Sequence, residues 1–153
     1  MAYATYTEVL ARIPALNLGA STEPSTTDVA TLLDEISTQY DLQLAQAGYT
    51  TPITGTNSLV EMKRIVLKRC IADVCKIVAT GNTEVVAYWQ DEADAADDMI
   101  DKIVEQAMKG EQFLSDATWA QPDNVFLARS YNADILEEDD DGYEPWSEKY
   151  KEY

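Results

Sequence analysis

The chain of 153 residues contains no histidine. Without an imidazole it cannot build a Ser-His-Asp or Cys-His nucleophile pair, and most transition-metal sites lose their usual ligand. Basic residues are scarce as well: 11 Lys and Arg stand against 28 Asp and Glu, a formal charge of −17. That sign argues against an autonomous nucleic-acid binder or a protein held on anionic lipid, because phosphate affinity comes mainly from basic side chains. No run of about 18 apolar residues is present to cross a bilayer, so no membrane partner is expected. Cysteine is limited to Cys70 and Cys75. Five positions apart on one expected helix, they are separated by roughly 7.5 Å of axial rise and point to different faces, so both are expected to stay reduced. The opening Met1-Ala-Tyr-Ala-Thr5 has neither the basic nor the apolar region of a secretory signal, and the expectation is synthesis and folding in a cytoplasm. Against these absences, hydrophobic residues make up 46% of the chain, enough to escape disorder and to build one core at this length.

The core pattern is helical throughout. Thr5-Tyr-Thr-Glu8 is a capping-box sequence that opens a short helix running to Ile13, where Pro14 stops it. Residues 17 to 25 carry the Gly, Pro and hydroxyl residues of a loop. A second helix is expected from about Thr27 to Ala47, with Val29, Leu32, Leu33, Ile36, Tyr40, Leu44 and Ala47 on one stripe. Gly48 closes it, and Pro52 and Gly55 shape the connection. A third, about Ser58 to Thr80, places Leu59, Val66, Leu67, Cys70, Ile71, Val74, Ile77 and Val78 on one side and ends at Gly81. A fourth, about Thr83 to Lys109, aligns Val85, Trp89, Ala93, Ala96, Ile100, Ile103 and Ala107 before Gly110. The expected fold is all-α, a small antiparallel bundle of one short and three long helices over residues 1–114. Residues 115–153 read as an extended, acidic and aromatic C-terminal arm, with a candidate short strand over 125–131 and a short terminal helix over 145–152. No internal repeat is present.

Charge is unevenly distributed along the helices. Asp91, Glu92, Asp94, Asp97, Asp98 and Asp101 crowd the fourth, and Asp94/Asp98 and Asp97/Asp101 each stand four apart on one face. Such carboxylates could hold magnesium for diphosphate chemistry. They are equally the solvated face opposite Trp89, Ile100 and Ile103. The preceding helix offers only Glu61 and Asp73, and the carboxylates lack a companion Lys, Arg or glycine-rich loop for a phosphate, so no catalytic residue, metal or cofactor is assigned. Lys63, Arg64, Lys68, Arg69 and Lys76 lie on the third helix. Two readings stand for this opposition: pairing inside one subunit, or contacts in which Lys63, Arg64, Lys68 and Arg69 of one copy meet Asp94, Asp97, Asp98 and Asp101 of the next. Lys63 falls in the apolar stripe, as a snorkelling stem or as an interface ion pair. At the C-terminus Tyr143, Trp146, Tyr150 and Tyr153 align on one side of a short helix begun by Pro145. They are candidates for docking on another subunit, or for packing back on their own bundle.

The order of segments resembles the helical head-to-tail adaptor proteins of tailed bacteriophages, also called connector or head completion proteins. Four stretches carry it: Tyr3-Ala-Thr5 leading into Val9, Leu10, Arg12 and Ile13; Asp28 to Leu44 followed by Gly48-Tyr49-Thr-Thr-Pro52-Ile53; Met62 to Val78; and Met108-Lys-Gly110-Glu-Gln-Phe-Leu114. The resemblance covers about residues 3 to 114, and residues 115–153 have no counterpart in it. It implies a virion structural protein without catalysis, made in the host cytoplasm and stacked as a ring, usually twelvefold, at the head-tail interface. Its implied partners are the portal protein, a tail or tail-completion protein and further copies of itself. DNA would pass through such a ring without specific binding, and an acidic wall suits that because like charge keeps phosphate from adhering. Two other classes fit the composition: an acidic binding module such as a DNA mimic, and a magnesium-dependent all-helical diphosphate hydrolase built on Asp94, Asp97, Asp98 and Asp101.

Overall fold

The computed structural model describes residues 2–120. Each helix begins at a recognisable cap. The backbone N–H of Thr5 donates to Glu8 Oε2 at 3.0 Å and opens α1 (Tyr6–Arg12), which ends before a 3-10 turn at Pro14–Leu16. Ser25 and Asp28 form a reciprocal box, with Ser25 N–H donating to Asp28 Oδ2 at 2.8 Å and Asp28 N–H to Ser25 Oγ at 3.2 Å. This box starts α2 (Thr26–Gln46) one residue earlier than expected and makes Ser25 part of the helix entry. α3 (Thr56–Val78) and α4 (Thr83–Met108) follow, the latter capped by the Asn82 side chain, which accepts from Val85 N–H at 3.2 Å. Gly48, Gly81 and Gly110 lie just beyond the three long helices and take positive φ, the conformation that ends a helix with least strain. The architecture is the expected all-α bundle.

α3 is the central element. It packs most extensively on α4 and also touches α2 and α1, so burial runs around well over half of its circumference. Met62, Ile65, Val66, Leu67, Cys70, Ala72, Val74 and Cys75 are all buried. The single stripe expected for it is too narrow: Met62, Ile65 and Ala72 join the core, and the two cysteines are both buried although they point to different faces. The stripe is also too long, because Leu59, Ile77, Val78 and, on α4, Val85 are exposed. No residue between Cys75 and Ala93 is buried, since among the described residues no third helix lies over the end of the α3–α4 hairpin. Val9, Leu33, Tyr40, Leu44, Met62, Val66, Cys70, Ile100 and Leu114 form the centre of the core.

The bundle does not stop at residue 114. Tyr49, in the α2–α3 connection, uses its hydroxyl to accept from the backbone N–H groups of Phe113 and Leu114 at 3.2 and 3.4 Å. Trp119 Nε1 donates to the Ala47 carbonyl at 2.9 Å, Tyr49 and Trp119 pair as an isolated bridge, and Thr50 N–H donates to the Thr118 carbonyl at 2.8 Å. Leu114 and Ala117 are buried by this return. At the other end of the chain, the Tyr3 hydroxyl donates to Asp41 and accepts from Ile53 N–H at 2.8 Å, tying the N-terminal segment to α2 and to the same connection. Burial, and then the Asp41 hydrogen bond, raise the Tyr3 phenol above its usual range. The candidate strand over 125–131, the helix over 145–152 and Tyr143, Trp146, Tyr150 and Tyr153 lie outside the described residues. Among the described residues there is no strand, and no helix is long and apolar enough to cross a membrane.

Candidate functional site

The α3–α4 seam gathers the charged residues that the sequence singles out. At its centre Arg69 donates through Nε to Asp73 Oδ2 at 2.9 Å and through Nη1 to Asp97. The Tyr40 hydroxyl, reaching over from α2, donates to the other oxygen of Asp97 at 2.7 Å. Lys76 closes the lower side on Asp73 Oδ1 at 2.6 Å. Burial opposes the charge on Arg69 more than any single partner favours it, but the hydrogen bond and charge of Asp73, with those of Tyr40, together outweigh it, so the guanidinium is held more firmly charged than usual. Burial likewise pushes the Tyr40 phenol up to about 12, so it remains a hydrogen-bond donor across the neutral range. This network spans three helices and is satisfied on every side, which is the arrangement of a scaffold.

The eight charges expected to meet across subunits therefore divide. Lys63 pairs with Glu8 of α1, Arg69 with Asp73 and Asp97, and both contacts lie within one chain. Lys63 keeps its ammonium at the surface beside α1, as a snorkelling stem does. Lys68 reaches across the seam to Glu92 at 3.2 Å, and Arg64 pairs along its own helix with Glu61 at 3.2 Å. Asp94 accepts from Gln90 Nε2 at 2.6 Å. Asp98 and Asp101 are exposed and make no hydrogen bond or ion pair among the described residues.

The same contacts bear on the metal reading. Asp97 turns into the seam toward Arg69 while Asp98 faces solvent, and Asp73, the nearest acid on α3, is occupied by Arg69 and Lys76. Among the described residues no group of three or more Cys, Asp or Glu is placed to hold a metal ion. Burial pushes the Cys70 thiol up to about 12 and also raises that of Cys75, which favours the protonated thiol at both.

Two adjoining grooves lie beside the seam, and sequence reasoning did not assemble them. The first, of about 560 Å³, is lined by Arg12 of α1, Arg64, Lys68 and Ile71 of α3, and Trp89 and Met99 of α4, among others. The second, of about 420 Å³, is lined by Arg64 again, Met99 again, Lys102, Ile103, Lys109 and Phe113, among others. Met99, Lys102, Gln106 and Lys109 follow at i, i+3, i+7 and i+10, so their common flank of α4 is readable as a helical stripe. Arg12 is brought to the groove only by the docking of α1. Comparison with protein family models, with curated proteins and with solved structures gives no match to this chain.

Proposed function

We propose that this protein is a head-to-tail adaptor of a tailed bacteriophage, a structural component of the virion that forms a ring between portal and tail and surrounds the DNA conduit. The observation that carries this reading is the role of the residues on which the resemblance rests. Tyr3 ties the N-terminus to Asp41 and Ile53, Tyr49 receives the chain after Gly110 at Phe113 and Leu114, and Met62 to Val78 form the central helix. These positions close the bundle on itself, so a chain with the same order of segments has the means to make the same tertiary joints. Arg69, Lys76 and Tyr40 occupy Asp73 and Asp97, so these two carboxylates serve as scaffold in the seam. A net charge of −17 suits a wall that DNA passes without adhering.

The test is the mass of the full-length protein by light scattering over a range of concentrations, alone and mixed with the cognate portal protein. The expected result is a ring by itself, or a monomer that joins the portal in stoichiometric rings. A compact monomer or dimer indifferent to the portal overturns the reading and favours the acidic-mimic class.

A further inference from the structure

Residues 2–120 hold eight cationic side chains, Arg12, Lys63, Arg64, Lys68, Arg69, Lys76, Lys102 and Lys109, against eighteen acidic ones. Three of them, Lys63, Arg69 and Lys76, are engaged on Glu8 or in the seam. The other five all line the two adjoining grooves, which meet at Arg64 and Met99. Three carboxylates share these grooves, Glu61, Glu92 and Glu105, and each answers one cation: Arg64, Lys68 and Lys109 respectively. Arg12 and Lys102 have no ion pair among the described residues. A surface with excess positive charge on so acidic a molecule selects an acidic occupant.

The same helix carries such an occupant. Asp91, Asp94, Asp98 and Asp101 are exposed, and the successive angles of 100° per residue place them on the side of α4 opposite Ala96, Ile100 and Ile103. Met99, at the middle of the groove flank, stands roughly 120° around the helix from this ridge, and Lys102 and Lys109 stand roughly 60° and 40° from it, so the ridge borders the groove. From Asp91 to Asp101 the ridge is about 15 Å long, and the groove flank of α4 from Tyr88 to Lys109 is about 31 Å, so the ridge fits within it. We propose that the groove of one copy receives the acidic α4 ridge of a second copy. Because socket and ridge are adjoining but distinct surfaces of one chain, the contact is heterologous and propagates head to tail, the type of interface that closes into a ring when the rotation allows. Ile71, Trp89 and Met99 give the groove an apolar floor, which excludes water from the charge pairs, and Met99 adapts to the shape of what lies on it. The sequence pairing of third-helix cations with fourth-helix acids is thereby redrawn: Lys63, Arg69 and Asp97 leave the contact, and Arg12, Lys102, Lys109 and Asp91 enter it.

This inference rests on the ring reading above, and its test separates the two. Light scattering is run on the full-length wild type, on R64E/K102E, on D98K/D101K, and on an equimolar mixture of the two variants, in the condition that assembles the wild type. Circular dichroism of each checks the fold. Each variant alone is expected to lose the ring and to associate at least tenfold more weakly. The mixture is expected to regain it, since every contact then joins unlike charges. Wild-type-like assembly of R64E/K102E, or two folded variants whose mixture stays monomeric, overturns the groove contact and leaves the ring reading standing. A wild type that assembles in no condition overturns both. Should either reversal fail to fold, R64Q/K102Q and D98N/D101N replace them, with the same tenfold loss expected and an unchanged mass overturning the contact.

Discussion

Gly55 is the N-cap of α3 and has no side chain with which to satisfy the first amides of that helix. Asp116 does so from beyond the end of α4: its carboxylate accepts from Asn57 N–H at 2.7 Å, from Ser58 N–H at 2.9 Å and from the Ser58 hydroxyl. The glycine is required by the same approach, because a Cβ at position 55 would stand 2.3 Å from the Asp116 carbonyl oxygen. The Ser58 hydroxyl first, then the two amides, hold the Asp116 carboxyl below its ordinary value. A depressed folded-state pKa means that the unfolded chain takes up the proton more readily. The stability from this contact is therefore complete above the unfolded value of about 4 and is lost as pH falls through the lower folded value. Asp116→Ala is accordingly expected to lower the urea midpoint at pH 7, and the gap from wild type is expected to shrink once the pH drops below about 4. Urea titrations of both proteins across that range measure it, and a gap that stays constant into acid would show that the carboxylate charge is not what holds the cap.

At the scale of the helix, α3 separates what periodicity can reveal from what it cannot. Its turn beginning at Val60 contains both extremes, since Val60 is 62% exposed and Met62 is 0% exposed. Met62→Ala is expected to cost about 2–5 kcal/mol, the usual range for truncating a fully enclosed side chain. Val60→Ala is expected to stay within about 0.5 kcal/mol. Chemical denaturation of the two variants tests the difference, and equal losses would mean that α3 does not turn Met62 into the core and Val60 to solvent. The four helices and their approximate ends were legible from Thr5, Glu8 and Pro14, from Gly48, Gly81 and Gly110, and, for the three long helices, from one apolar stripe each. The second buried side of α3, with Ile65, Ala72 and Cys75, was not, because a stripe reports one packing partner and this helix has three. The exposure of Ile77, Val78 and Val85 was hidden for the converse reason: apolar spacing continues where the neighbouring helices no longer cover it. At the candidate site, the opposition of third-helix cations and fourth-helix acids was legible, but which of them turn inward depends on Tyr40 and Glu8, contributed by other helices. The role of Asp116 was illegible for the same reason, as its partners Asn57 and Ser58 lie far away in sequence.

At the scale of the whole molecule the question is how subunits of like sign can associate at all. Through residue 120 the acids exceed the bases by 18 − 8 = 10, so two copies repel at long range while groove and ridge attract at contact. Salt acts on these in different ranges. Near 0.1 M the Debye length is about 10 Å, which already damps repulsion between distant surfaces but leaves touching charges largely unscreened. Near 1 M it is about 3 Å and reaches the contact pairs themselves. Assembly of the wild type is therefore expected to strengthen from low salt to about 0.15 M and to weaken again toward about 1 M, passing through a maximum. For R64E/K102E, in which the contact is repulsive too, added salt relieves both terms, and its residual association is expected to rise throughout. Sedimentation or light scattering over a sodium chloride series distinguishes the curves. A wild-type curve that only rises would mean that apolar contact alone joins the subunits, because screening would then have no attraction to remove.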